Sequence, residues 1–313
     1  MLVSQRCGAT HGKPIAPTMA LDQVNGLSAR LDDAKREGSI VVAPGICDAL
    51  TAGIAATAGF DTLYLTGAGI AYCRLGRPDI GLVSSTEVAE TIALIRDRVP
   101  CALIVDADTG YGNALNVQRT VRLFERAGAS AIQLEDQVFP KRCGHLADKS
   151  VIPAAEMVGK IKAAVDARQS SDTLIVGRTD AAAVEGMDRA IERGRLYADA
   201  GADVLFIEAP RTRDELSRVM RELAGSAPLL ANMVEGGNTP LLTSKELAEI
   251  GFRLVIFPGG IVRAMARTAR DYYASLKANG TNAPFQDRMF DLTELNEMLG
   301  TAEILANARS YEG

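Results

Sequence analysis

Apolar residues in this chain gather into eight short runs, at positions 40–43, 62–65, 102–105, 131–134, 174–176, 204–207, 229–231 and 254–257. The runs are nearly continuous rather than alternating, as in strands buried on both faces. Between them lie longer stretches with apolar residues three or four apart, predicting helices over 85–96, 117–127, 154–167, 188–200, 213–223 and 244–250. A short helix before the first run follows from Leu27, Leu31 and Ala34, with Gly38 as its stop. A partial repeat marks the units. Ala58-Gly59, Ala127-Gly128, Ala200-Gly201 and Ile250-Gly251 precede the second, fourth, sixth and eighth runs, each glycine ending a helix just before a strand. Eight strand–helix units predict an α/β protein of the (β/α)8 TIM-barrel type. An open doubly wound sheet fits less well, because Pro44-Gly-Ile-Cys-Asp48 after the first run is no dinucleotide-binding turn.

The pattern divides the chain into a Gly-, Pro- and Thr-rich arm over 1–22, a barrel over 23–280, and a helical segment over 281–313. In the last, Met289, Leu292, Leu295, Met298 and Leu299 follow helical spacing and leave one apolar face to be covered. With 313 residues and 47% hydrophobic content, one barrel is easily filled. A net charge of −5 with scattered Lys and Arg gives no clustered basic face, so no nucleic-acid partner is expected. No run reaches the roughly 20 apolar residues of a membrane helix, and the arm has no apolar core of signal-peptide length. A cytoplasmic protein without membrane association is the expectation. Five dispersed cysteines in no zinc-like pairing suit reduced thiols.

Catalytic groups of such barrels sit at the carboxyl ends of the strands, so the residue after each run carries the functional reading. The runs are followed by Thr66-Gly-Ala-Gly69, by Asp106 and Asp108, by Glu135, by Arg178 and Asp180, by Glu208, by Asn232 and Glu235, and by Pro258 with Arg263 beyond. Any single acid there is explicable as a helix cap. Four or five converging acids repel one another unless a cation lies among them, and an all-oxygen set favours Mg2+, then Mn2+. Arg178 and Arg263, with Arg142, suit bidentate clamping of a small carboxylate substrate. Arg263 also reads as a surface residue, since Arg267 and Arg270 follow at helical spacing. Tyr64 and Tyr111 stand where they can touch substrate or simply fill the wall.

The fourth run feeds Glu135-Asp-Gln-Val-Phe-Pro-Lys-Arg-Cys-Gly-His145, which sets Cys143 among Lys141, Arg142 and His145. Cationic neighbours favour thiolate over thiol, making Cys143 a candidate acid, base or nucleophile rather than a small core residue. His145 is the one imidazole outside the arm, suited to polarising a substrate oxygen or to a plain loop hydrogen bond.

Lys-Arg-Cys-Gly-His after Glu-Asp-Gln resembles the signature of the isocitrate lyase and phosphoenolpyruvate mutase superfamily, in its cysteine-bearing lyase branch near 2-methylisocitrate and 2,3-dimethylmalate lyases. The likeness runs from about position 44 to 269. It implies a metal site at Asp106, Asp108 and Glu135, direct or through water. It implies a substrate pocket including Tyr64, Thr66, Gly67, Ala68, Arg178, Asn232 and Arg263, and a catalytic group of Cys143, His145, Arg142 and Glu208, with Cys143 protonating the carbanion left by cleavage. The implied activity is Mg2+-dependent cleavage of a 2-hydroxy di- or tricarboxylate to a 2-oxo acid and a second carboxylate. Glu235-Gly-Gly237 and Val138-Phe-Pro-Lys-Arg-Cys143 resemble instead the oxaloacetate-hydrolysing branch, whereas Pro258 and Arg263 do not. A catalytically silent dicarboxylate-binding barrel is the alternative from another class, disfavoured by the poised thiol. The resemblance further implies a homotetramer in which C-terminal helices are swapped between subunits.

Overall fold

The computed structural model describes residues 26–142, 144 and 149–312. Its strands are β1 (Val41–Ile46), β2 (Thr62–Leu65), β3 (Ala102–Asp106), β4 (Ala131–Glu135), β5 (Leu174–Thr179), β6 (Val204–Ile207), β7 (Leu229–Asn232) and β8 (Leu254–Phe257). All neighbours pair in parallel, in sequence order, and β1 closes on β8 through Val41↔Leu254 to Pro44↔Phe257. The expected (β/α)8 barrel is therefore what forms.

The expected helices appear with small shifts at their ends. α1 (Leu27–Glu37) precedes the barrel, α2 (Ala49–Thr57) follows β1, and a four-residue α3 (Gly67–Ile70) runs into a π-helical turn, Ala71–Leu75. Then come α4 (Ser85–Arg98), α5 (Ala114–Ala127), α6 (Ala154–Ala167), the extra short α7 (Ala181–Val184), α8 (Met187–Asp199), α9 (Arg213–Leu223), α10 (Ser244–Ile250) and α11 (Gly260–Asn279). Asp48, Ser84, Asn113 and Thr243 start α2, α4, α5 and α10 with reciprocal capping boxes, which satisfy otherwise orphaned first-turn N–H groups. The repeated glycines do what their spacing predicts. Gly59, Gly128, Gly201 and Gly251 all have φ between 96° and 121°, where a side chain is strained.

Strand parity separates two cores. Tyr64, Ala102, Ile104, Ala131, Val176, Val204, Phe206, Leu230, Leu254 and Ile256 point into the barrel, while Leu63, Leu65, Leu103, Val105, Ile132, Ile175, Leu205 and Val255 face the helix layer. Leu27 and Leu31 of α1 join the inner cluster and stopper the amino-terminal end of the barrel. Burying a Leu, Ile or Phe contributes about 1.5–3 kcal/mol, so both layers are strongly held.

The C-terminal segment is not one helix. A 3-10 stretch (Ala283–Arg288) precedes α12 (Leu292–Leu299) and α13 (Thr301–Arg309), separated by Gly300 at φ 76°. Neither α12 nor α13 has a buried residue, and Leu292 is 80% exposed. Their own barrel covers them only in part: Leu295, Met298 and Leu299 are half-buried, and Arg98 of α4 donates to the Leu299 carbonyl at 2.9 Å. The arm over 1–22 lies outside the described residues.

Candidate active site

The parity that points Ile104, Val176, Phe206, Leu230 and Ile256 inward also points inward the residues two positions on: Asp106, Arg178, Glu208, Asn232 and Pro258. All five, with Glu135 and Tyr64, line one cavity at the carboxyl end of the barrel. Several lie inside the ladder: Glu135 pairs with Arg178, and Asp106 with Gln133. Strand geometry, not loop conformation, holds their backbones.

Arg178 is the hub. Its guanidinium is 7% exposed and lies 3.2 Å from Glu135 Oε2, 2.9 Å from Asp180 Oδ2 and 3.1 Å from Glu208 Oε2, over the face of Phe206. Burial opposes its charge, but Asp180, Glu135 and Glu208 outweigh that and hold its pKa well above the usual value. The clamp expected for a substrate carboxylate is here made first to protein carboxylates. Asn232 donates through Nδ2 to Glu208 Oε2 at 3.1 Å. For Asp180, burial is outweighed by Arg178 and by Lys149, whose Nζ is 2.7 Å away, so its carboxyl is held below the ordinary range.

On the other side, the chain after β3 turns sharply. Asp108 has φ 48°, and its N–H donates to Asp106 Oδ1 at 3.1 Å. Lys141 Nζ lies 2.8 Å from Asp108 Oδ1, an ion pair without hydrogen-bond alignment, and also pairs with Asp79. Burial pushes the Asp108 carboxyl up to about 7 even beside Lys141. Glu135 is likewise driven up by burial, against the pull of Arg178. Asp136, next to Glu135 but turned the other way, accepts from Thr179 Oγ1 (2.6 Å), Tyr197 Oη (2.6 Å) and the Asp180 N–H (2.9 Å), tying β4 to β5.

A hard cation fits this donor set. Glu135 Oε1 is buried with no hydrogen-bond partner among the described residues. A Cβ on Gly67 would lie 3.3 Å from both Asp106 Oδ2 and Asp108 Oδ1, so the glycine keeps a gap open before them. The three carboxylates do not, however, close on one point: among the described residues no three His, Cys, Asp or Glu side chains could hold an ion by themselves. Lys141 draws Asp108 aside and Arg178 draws Glu135. Of the two arrangements expected, direct or through water, the spread of these side chains suits the second, which an ion that dehydrates reluctantly accepts.

Thr66 and Ala68 line the cavity, and the Thr66 hydroxyl caps α3 at Gly69 N. Tyr64 is in its floor and donates to Gln133 Oε1 at 3.2 Å. Arg142 stands at the rim, its backbone pinned in both directions by the Gln137 amide at 2.8 and 2.9 Å. Arg263, on α11, satisfies both of its readings: its side chain is 51% exposed, yet it lines the mouth and pairs with Glu235. Tyr111 instead packs edge-on against Phe124 and does not line the cavity. Cys143 and His145 lie outside the described residues. Gly144 between them faces Arg178 and Glu208, where a Cβ would come within 2.8 Å of Glu208 Cγ. Sequence reasoning missed Asp79, Lys141 and Lys149 as site residues. Lys141 was visible only as a cation beside Cys143, and Asp79 follows no strand.

A family model described as phosphoenolpyruvate phosphomutase matches residues 31–277. The 2,3-dimethylmalate lyase of Eubacterium barkeri is 43% identical over 284 residues, covering 91% of this chain and 98% of its own. The 2-methylisocitrate lyase of Aeropyrum pernix is 46% identical, covering 83% of each. Among solved structures, oxaloacetate acetylhydrolase in complex with 3,3-difluorooxalacetate superposes with a TM-score of 0.85 at 34% identity, covering 93% of this chain and 98% of that one.

Proposed function

Because the chain belongs to the phosphoenolpyruvate mutase and isocitrate lyase superfamily and is a carbon–carbon lyase of it, we propose that it cleaves a Mg2+-bound 2-hydroxy diacid of the 2,3-dimethylmalate or 2-methylisocitrate type. The reading rests on one observation above the others: Glu135 Oε1, buried and without a hydrogen-bond partner among the described residues, in the same cavity as Asp106. A buried carboxylate oxygen without a donor is costly, and a metal ion would relieve it. The alternative of a silent barrel is set aside by the named lyases among its relatives.

Asp106, Asp108 and Glu135 are the residues that would hold Mg2+, which would supply positive charge beside the substrate oxygen on which charge develops. Arg178, Arg142 and Arg263 hold the carboxylates, with Asn232 and the Thr66–Ala68 backbone fixing the orientation. The 2-hydroxyl passes its proton to a carboxylate of the cavity and becomes the new carbonyl as the neighbouring C–C bond breaks. The electron pair stays on the carbon next to the second carboxylate, and Cys143, with His145 beside it in sequence, returns a proton to that carbon. Glu208, held by Arg178 and Asn232, keeps the guanidinium aligned. Mn2+ suits the same ligands.

Oxaloacetate hydrolysis is the second reading, favoured by the likeness to oxaloacetate acetylhydrolase and by Glu235-Gly-Gly237 at the mouth. Pro258 and Arg263 in the cavity wall weigh toward the lyase. Steady-state assay of a diacid panel separates them. Pyruvate from 2,3-dimethylmalate or 2-methylisocitrate is the expected result, and oxalate from oxaloacetate as the main product overturns it.

A further inference from the structure

Two thiols unrelated to Cys143 meet beside the cavity. Cys47 follows β1 and is buried, Cys73 sits in the π-helical turn Ala71–Leu75 and is exposed, and their Sγ atoms are 3.5 Å apart. From this pairing we propose that Cys47 and Cys73 are a reversible redox couple, whose disulfide shuts down turnover by displacing the wall that carries Tyr72 and Thr66.

Disulfide geometry requires the sulfurs to close to about 2.05 Å, roughly 1.5 Å nearer than they stand. The buried partner is hemmed in: a Cβ on Gly69 would lie 3.0 Å from Cys47 Cβ and 2.7 Å from Thr66 Cγ2. Cys73 is therefore the one that travels. A single π-helical turn has looser hydrogen bonding than an α-helix and yields most easily. Tyr72, the preceding residue, lines the cavity, as do Thr66 and Ala68 at the start of the same α3–π segment.

The chemistry balances with a peroxide as oxidant. The exposed Cys73 sulfur attacks one peroxide oxygen, the O–O bond breaks, and water leaves behind a sulfenic acid. Cys47 Sγ then attacks the Cys73 sulfur, its proton passing to the Asp48 carboxylate 3.8 Å away, and hydroxide leaves to combine with a proton as water. Sulfur is oxidised by two electrons and peroxide reduced by two. Burial, with Asp48 beside it, pushes the Cys47 thiol up to about 12, which assigns the first attack to Cys73. An external dithiol reaches the bond from the exposed Cys73 side and reverses it.

The test oxidises Mg2+-loaded enzyme with stoichiometric hydrogen peroxide, maps disulfides by mass spectrometry, and follows turnover of 2,3-dimethylmalate. A peptide pair linked through Cys47 and Cys73 is expected, with kcat/KM down about 10–100-fold, since a 1 Å misplacement costs on that order, and full recovery with dithiothreitol. Cys73→Ser and Cys73→Ala should match the wild type before oxidation and keep their activity after it. Absence of the linked pair overturns the couple. Linkage without loss of turnover, or equal loss in the Cys73 variants, overturns the gating and assigns inactivation elsewhere, Cys143 foremost. No turnover of the reduced enzyme counts against the proposed substrate instead, and disulfide mapping still decides the thiol chemistry.

Discussion

Gly45 is the tightest joint in the barrel, and its replacement by alanine gives a prediction whose size follows from coordinates. A Cβ at Gly45 would lie 2.5 Å from the Pro258 carbonyl carbon and 2.7 Å from its Cα. Both are backbone atoms, so no rotamer change relieves the clash, and the carboxyl ends of β1 and β8 must part by roughly 1 Å to restore ordinary contact. Overpacking of this kind costs about 1–3 kcal/mol. At about 2–4 °C per kcal/mol for a domain of 150–250 residues, the melting temperature should fall by several degrees. Pro258 lines the cavity, so kcat/KM should fall by about 100-fold as well. Gly159 is the control. It lies within α6, a Cβ there meets nothing within 4 Å, and Gly159→Ala should stabilise the protein by about 0.5–1 kcal/mol with turnover unchanged. Calorimetric melting and steady-state kinetics on both variants decide it. Equal melting temperatures and rates for Gly45→Ala and wild type would refute the argument.

Exhaustive chelation should abolish turnover and Mg2+ or Mn2+ restore it, while Asp106→Ala should weaken metal binding about 10–100-fold; activity surviving chelator dialysis removes the metal assignment. Cys143→Ser should bind substrate normally but lose about 100-fold or more in kcat, because serine is too weak an acid to supply the proton; a wild-type kcat rules the role out. Lys141→Met leaves Asp79 and Asp108 buried without their cation and should cost about 3–5 kcal/mol in urea titration; a loss below 1 kcal/mol would mean that the pair is relieved by water. Deletion from Asn282 onward should break the proposed homotetramer, since Leu292, Ile304 and Leu305 of α12 and α13 stay exposed on their own barrel; light scattering that finds the full-length protein monomeric at micromolar concentration ends the swapped-helix proposal.

The barrel was legible because its runs and glycines repeat, and six of eight strands begin and end within a residue of where apolar character does. The largest differences fall where chemistry enters the sheet. β5 extends through Arg178 and Thr179, which pair with Phe206 and Ile207, and no hydrophobic pattern includes a buried arginine within a strand. The strand-end rule found Asp106, Glu135, Arg178, Glu208 and Asn232 because parity carries each into the cavity. It could not find Asp79 or Lys149, which reach their partners from loops 62 and 31 residues away in sequence. Nor does spacing reveal that Lys141 and Arg178 spread the carboxylates apart, since that is a balance of charges among side chains from different strands.

Among the described residues, the stopper formed by Leu27 and Leu31 leaves the barrel a single doorway. In the proposed site both fragments of a cleaved molecule depart past Arg142 and Arg263, and the one seated deeper, against Glu135 and Arg178, waits for the other. Departure in a fixed order follows from that dead end. The last fragment to leave occupies the room that the next molecule needs, so it should compete with substrate, whereas the first should not.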